Sequence, residues 1–199
     1  MTDPSRLINF SLEIIKSQIP TLHPYGFYIL KNESYLPDAN LRLHIWLSRT
    51  RRRQEPDWPP HTHNSMLSSF ILTGGVTANF WIFRECSDGE SQIYRVSYTG
   101  DRSIIKKTRK RGAIELDESR KLLQGDSYIV PPHVFHSTEV KPTMATVTFV
   151  LESKSSKGKA LVAGEKLGDN LYEFTRRQVT KFEKKAVADL AYRAFRSLL

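Results

Sequence analysis

Three histidines are spaced as metal ligands would be. His61 and His63 flank Thr62, and His136 closes the segment that runs from Gly125 through Pro131, Pro132 and His133. On a strand, alternate residues face the same side, so His61 and His63 project their imidazoles into one space. A third imidazole from a distant strand then completes a face of three neutral nitrogen donors. Such a face suits iron, copper, nickel, manganese or zinc and leaves coordination positions for substrate, water or dioxygen. Only six histidines occur in the 199 residues, and four fall in these two segments. Of the others, His44 lies in an apolar strand pattern where it faces either a cavity or a structural partner. His23, beside Pro24, reads as a loop residue. His133 has three readings: a fourth ligand, an acid/base beside the metal, or a surface residue of the loop.

The elements that must hold these residues are mostly strands. From Tyr25 to about Leu151, short β-rich runs alternate with turn signals. The runs are 27–30, 41–47, 69–72, 78–83, 92–98, 128–130 and 145–151. Gly74-Gly75, Ser87-Asp88-Gly89, Gly100-Asp101 and Gly125-Asp126 supply the turns. Such regular spacing predicts a β-sandwich or small barrel. Before it, residues 4–19 carry a mostly helical apolar pattern that Asp3-Pro4 opens and Pro20 ends. After it, Ser153–Lys159 reads as a flexible connection. Then Val179, Phe182, Ala186, Leu190, Ala194 and Leu198 recur at three- and four-residue steps, the mark of an amphipathic helix. The expected organisation is an N-terminal helical segment (1–24), a barrel (25–152), and a linker with a C-terminal helix (153–199).

Composition narrows the function classes. The apolar share is 39% and the charged share 26%, as in a globular chain, and no apolar run reaches the length of a membrane span. No apolar leader follows the polar first residues. The single cysteine, Cys86, has no internal disulfide partner and reads as a small residue at a strand end, which fits a reducing cytoplasm. Thirty Lys and Arg against 21 Asp and Glu give a formal charge of +9. The excess sits at Arg49–Arg53, at Lys106–Arg111 and after Lys154. A solvated hairpin edge and a solvated helix face account for it. No aromatic interleaving or helix-turn-helix points to nucleic acid.

Read with their flanking residues, the two histidine segments resemble the paired motifs of the cupin superfamily. The first motif, G-x5-H-x-H-x(3,4)-E-x6-G, is matched by His61, His63 and Gly74 or Gly75. The second, G-x5-P-x-G-x2-H-x3-N, is matched by Gly125, Pro131 and His136. The resemblance covers about residues 40–152. It implies an all-β core, the cupin double-stranded β-helix (jelly-roll barrel), here with N-terminal and C-terminal α-helices. It also implies a homodimer. The departures are specific. The glutamate of the first motif would fall at Leu67 or Ser68, its opening glycine is Glu55, His133 stands at the second glycine, and Val140 is near the final asparagine.

The implied site is therefore His61, His63 and His136 without a carboxylate. That set is similar to the one in thiol dioxygenases and related cupin oxygenases, which bind Fe(II) and activate dioxygen. The Ser-x-His-x-Tyr stretch of the cysteine-type enzymes has no counterpart between Ala145 and Lys154. The resemblance implies a small polar or anionic substrate, with Arg49, Arg51, Arg52 or Arg53 and His44 as substrate-binding candidates. Tyr128 and His133 are the candidates for catalytic roles. Zn(II), Ni(II) or Mn(II) in the same donors would instead support an oxygen-independent lyase, isomerase or hydrolase. A ligand-binding cupin without catalysis is the third reading.

Overall fold

The strand Ala39–Trp46 (β3) shows how this sequence divides inside from inside. Leu41, Leu43 and Ile45 are fully buried on one face, while Arg42, His44 and Trp46 alternate with them on the other. The first face packs under a helix and the second lines a cavity, so β3 is covered on both sides. A computed structural model of the chain describes residues 13–16, 18–36, 39–48, 55–100, 102–153, 158–175 and 177–196.

Among the described residues, twelve strands form two antiparallel sheets. The first sheet has the order β1 (Thr21–Leu22), β2 (Tyr28–Leu36), β3, β10 (Thr146–Ser153), β4 (Leu67–Thr73) and β8 (Ser127–Val130). The second has the order β11 (Leu161–Glu165), β6 (Ser91–Thr99), β7 (Arg102–Leu123), β5 (Gly75–Glu85) and β9 (Phe135–Glu139), with β12 (Leu171–Thr175) on β7. After β3 the chain passes between the sheets repeatedly: β4 to β5, β7 to β8, β8 to β9, β9 to β10 and β10 to β11. This is the jelly-roll course of the cupin fold.

Gly74 makes the first of these crossings. Its φ of 78° is one that side-chain-bearing residues rarely adopt, and an added Cβ would lie 2.4 Å from Thr146 Oγ1 and 2.5 Å from the Ala145 carbonyl oxygen. The motif glycine is thus needed for both conformation and close approach. Between the sheets, Leu67, Ile71, Val76, Ala78, Phe80, Val130 and Val150 form one core.

A second core lies on the far face of the first sheet. There Leu41, Leu43, Ile45, Val147 and Phe149 meet Ile14, Ile15 and the C-terminal helix α1 (Lys181–Arg196). Thr180 and Glu183 cap α1 reciprocally: Glu183 N–H donates to Thr180 Oγ1 (3.2 Å), and Thr180 N–H donates to Glu183 Oε2 (2.9 Å). Tyr28 also donates its hydroxyl to Glu183 (2.7 Å).

The sequence expectation needs correction in three places. The barrel does not end at residue 152, because β11 pairs with β6 and β12 with β7. The charged run Lys106–Arg111 lies in the first half of β7, a 22-residue strand whose first half pairs with β6 and whose second half pairs with β5. The helix buries Val187, Ala191 and Ala194, whereas Phe182 is 81% exposed. Glu183 explains this last shift: its bond to Tyr28 turns that side of the first turn toward the sheet. Of the helical pattern expected over 4–19 within segment 1–24, residues 13–16 are helical, 18–20 are not and Thr21–Leu22 form β1, while 1–12 and 17 lie outside the described residues, as does Leu198. No helix among the described residues is long and apolar enough to cross a membrane. Cys86 is half-buried just past β5, and its N–H donates to the Arg111 carbonyl.

Candidate metal centre

The two histidine segments meet through their backbones. His61 N–H donates to the His136 carbonyl (3.0 Å) and His136 N–H donates to the His61 carbonyl (2.9 Å). Residues that exchange both bonds in an antiparallel pair lie directly opposite, with side chains on the same face. His63, two residues on, shares that face, and its carbonyl accepts the His133 N–H (2.8 Å). Thr62 points the other way and is pinned to β11. Its N–H donates to the Leu161 carbonyl (2.8 Å), and its Oγ1 accepts the Leu161 N–H (3.0 Å). The segment therefore sits as a strand-like bridge between β9 and β11.

The three imidazoles converge as the spacing predicts. Ring centroids lie 4.5 Å (His61–His136), 4.9 Å (His61–His63) and 5.0 Å (His63–His136) apart. One nitrogen from each falls within 4.8 Å of the others. A metal–nitrogen bond is about 2.0–2.1 Å, so small ring rotations would bring the widest pair within reach of one ion. His61 Nδ1 lies 2.8 Å from the Pro59 carbonyl oxygen and His136 Nδ1 lies 3.2 Å from that of Val134. A carbonyl oxygen carries no proton, so each Nδ1 is the donor and each Nε2 keeps its lone pair. That is the tautomer a metal needs, fixed before any metal arrives.

Burial keeps the cluster neutral. His136 is held down to about 3, chiefly by desolvation. Desolvation also holds His63 well below its ordinary value, helped by His61, His136 and Arg42. His61 is lowered by burial too, against the opposing effect of its bond to Pro59. Neutral imidazoles cost no proton release when they bind a metal near pH 7.

The cluster opens into a small cavity that reaches the surface. Arg42 and His44 of β3, Leu67 and Ser69 of β4, Tyr128 of β8 and Thr138 of β9 line it, with Phe27 and Trp46. No carboxylate is among the described residues that line it. Leu67, at one of the two positions where the cupin motif has glutamate, is buried in this wall, so an aliphatic group replaces the missing ligand.

The other candidates separate. Tyr128 does reach the cavity, with its hydroxyl 3.3 Å from Thr138 Oγ1, and burial raises its pKa, so it is a protonated donor rather than a base. His44 lines the same wall. Its Nε2 is buried without a hydrogen-bond partner among the described residues, and burial with the nearby Arg42 holds its pKa to about 3. His133 is exposed in a left-handed conformation (φ 63°) and does not line the cavity. The catalytic role expected for it is corrected to that of a turn residue outside the cavity, whose backbone N–H ties the loop to His63. Arg49, Arg51, Arg52 and Arg53 lie outside the described residues.

The arginine that does line the cavity is Arg42. Its guanidinium is ion-paired with Glu152, while its Nε is buried without a partner among the described residues. Arg42 was legible in principle, because it stands two residues before His44 in an alternating strand. His23 and Tyr25 also border the cavity from the turn between β1 and β2. No local spacing announces them; only the tertiary approach of that turn does.

No protein-family model matches the chain, and no curated protein matches it in sequence. Solved structures similar to it include two described as cupins. An RmlC-like cupin from Shewanella frigidimarina is 16% identical over 69% of this chain and 86% of that one, with a TM-score of 0.39. A cupin-like protein from Thermotoga maritima is 14% identical over 81% and 84%, with a TM-score of 0.32. Hydroxypropylphosphonic acid epoxidase from S. wedmorenis is 14% identical over 68% and 55%, with a TM-score of 0.38. At these identities the likeness concerns the fold. The chemistry rests on the site itself.

Proposed function

We propose that this chain is a mononuclear non-haem metal dioxygenase of the cupin type, with Fe(II) as the metal and a small polar or anionic metabolite as substrate. The observation that carries this reading is the convergence of three neutral imidazoles in a cavity whose expected carboxylate is Leu67. His61, His63 and His136 would hold the metal, and a bound Fe(II) would supply dioxygen activation. A neutral donor set leaves the ion's double positive charge uncompensated, which favours an anionic substrate group beside it.

The chain's own residues then have definite tasks. Arg42, its guanidinium held by Glu152, brings a positive charge to the cavity wall for an anionic substrate group. His44, neutral, lines the same strand face. Tyr128 donates from its protonated hydroxyl. Phe27, Trp46, Leu67 and Val130 exclude water from the space between.

The same donors favour a second reading, since three histidines also make a catalytic zinc site. In that case the metal is Zn(II), Ni(II) or Mn(II), acting as a Lewis acid in an oxygen-independent lyase, isomerase or hydrolase. Oxygen uptake by anaerobically Fe(II)-loaded protein, screened against thiols, amino acids and small acids, separates the two. Substrate-dependent uptake supports the dioxygenase. Turnover that persists without oxygen contradicts it and supports the Lewis-acid reading.

A further inference from the structure

The charged run Lys106–Arg111, a solvated hairpin edge by composition, walls a groove of about 410 Å³ on the second sheet. Arg95 of β6 lines it with Lys106, Lys107, Arg109 and Lys110 of β7, around Ile93, Thr108 and Leu161. Five of these eight residues are cationic, and no Asp or Glu is among the described residues of the lining. The groove shares no lining residue with the cavity at the histidine cluster.

The backbone builds this groove. Gln92 pairs with Arg111 and Tyr94 with Lys107, so Thr108, Arg109 and Lys110 stand opposite the single residue Ile93. Such a bulge re-aims side chains out of the ladder. Buried Gln92 fixes its shape by donating to the carbonyls of Thr108 (2.9 Å) and Lys110 (2.8 Å). Thr108 Oγ1 in turn donates to the Ile93 carbonyl (2.7 Å).

The cations so placed are left with little to neutralise them. Arg95 and Lys106 are direct cross-strand partners, a like-charge pairing that costs stability. Neither of them, nor Arg109, makes a side-chain hydrogen bond or ion pair among the described residues. Lys110 meets Glu85 at 3.5 Å on an exposed surface, a pairing that contributes little. Lys107 alone is satisfied, its ammonium donating to the carbonyls of Lys166 (3.2 Å) and Gly168 (2.9 Å).

We propose that this groove binds a small oligophosphate, an anion with several linked phosphate groups. Arg95 and Arg109 supply planar forks that match phosphate oxygens, and Lys106 and Lys110 add point charges. A phosphate between Arg95 and Lys106 removes the repulsion that the empty pairing carries. The groove's volume is that of a small-molecule site. No aromatic side chain is among its described lining, so it lacks the stacking platform of a single-stranded nucleic-acid site. The inference does not rest on the metal reading, and binding is measured on metal-free protein.

The probe is tripolyphosphate, titrated calorimetrically into the metal-free full-length chain. The expected result is one equivalent with a Kd on the order of 10–100 µM at about 50 mM salt, weakened about fivefold or more at about 200 mM. Inorganic phosphate, with a single group, binds at least about tenfold weaker. ATP binds at least as well as tripolyphosphate if a nucleotide is the source of the phosphates, and more weakly if a free phosphate chain is. Arg95→Gln and Arg109→Gln each weaken tripolyphosphate about three- to tenfold. Lys106→Gln weakens it too and raises Tm by about 1–3 °C, because the like-charge pair is gone. A Lys184→Gln/Lys185→Gln variant removes two charges from α1 and keeps the affinity within about twofold. The proposal is overturned if tripolyphosphate fails to saturate the wild-type protein by about 5 mM. It is also overturned if folded Arg95→Gln and Arg109→Gln both bind as wild type does, or if the α1 variant loses as much affinity as they do. An oligothymidine that binds more than about tenfold tighter than tripolyphosphate would overturn it as well, because the surface would then serve a long polyanion.

Discussion

His61 and His136 exchange both of their backbone hydrogen bonds and hold their rings, tilted 46° to each other, 4.5 Å apart. The ladder that joins the two motifs is therefore the same contact that brings the ligands together. A register slip of one residue would turn either imidazole to the opposite face. The histidine cluster and the barrel's closure at this end are one structural feature.

The buried neutral histidines make the metal-free protein acid-sensitive. His44 and His136 titrate near 3 when folded against 6.5 ordinarily. Between those values the unfolded chain binds more protons than the folded one. Stability is therefore full above about pH 6.5 and falls as the pH drops, by up to about 1.4 kcal/mol per pH unit for each such histidine. Urea melts of metal-free protein from pH 7.5 to 4.5 should show this slope, and saturating metal should raise stability across the range while leaving the slope unchanged. A pH-independent midpoint would contradict the buried, neutral assignment.

Arg42 carries both a structural and a binding role, and two variants separate them. Arg42→Met leaves Glu152, whose side chain is 9% exposed, without its guanidinium. We expect a loss of about 2–4 kcal/mol, recovered largely by adding Glu152→Gln. If Arg42 also holds the substrate anion, the double variant should fold well yet show KM raised about tenfold or more with a smaller change in kcat. Wild-type KM in the double variant would remove Arg42 from substrate binding.

Gly74→Ala tests the crossing between the sheets. The substitution forces a Cβ into φ 78° and against Thr146 and the Ala145 carbonyl. The expected cost is about 2–4 kcal/mol in urea denaturation, with metal affinity falling because the barrel that seats His61 is distorted. A loss below about 0.5 kcal/mol would show that the turn relaxes without the glycine.

How much of this was legible in the sequence follows from the range of the signals. The histidine site was, because His61 and His63 need only strand alternation and His136 sits in a second motif with its own glycine and proline. Strands β2 to β6, β8 and β10 announced themselves through apolar runs between turns. The strand β11 did not, since only Val162 and Ala163 of its five residues are buried. In β12 none is, and β7 hides behind its charged outer face. The phase of α1 depends on Glu183 reaching Tyr28, a contact 155 positions apart that no helical periodicity contains. The cavity wall likewise depends on register. Arg42, Leu67, Tyr128 and Thr138 come from four strands and become neighbours only when both sheets are built.

The central claim is that His61, His63 and His136 together hold one metal ion. Metal analysis after anaerobic Fe(II) loading tests it most directly, on wild-type protein beside His136→Ala and His133→Ala. The account predicts about one equivalent for wild type and for His133→Ala, and less than about a tenth for His136→Ala. Retention of a full equivalent by folded His136→Ala, or failure of wild type to bind Fe(II), Zn(II), Ni(II) or Mn(II), would contradict it.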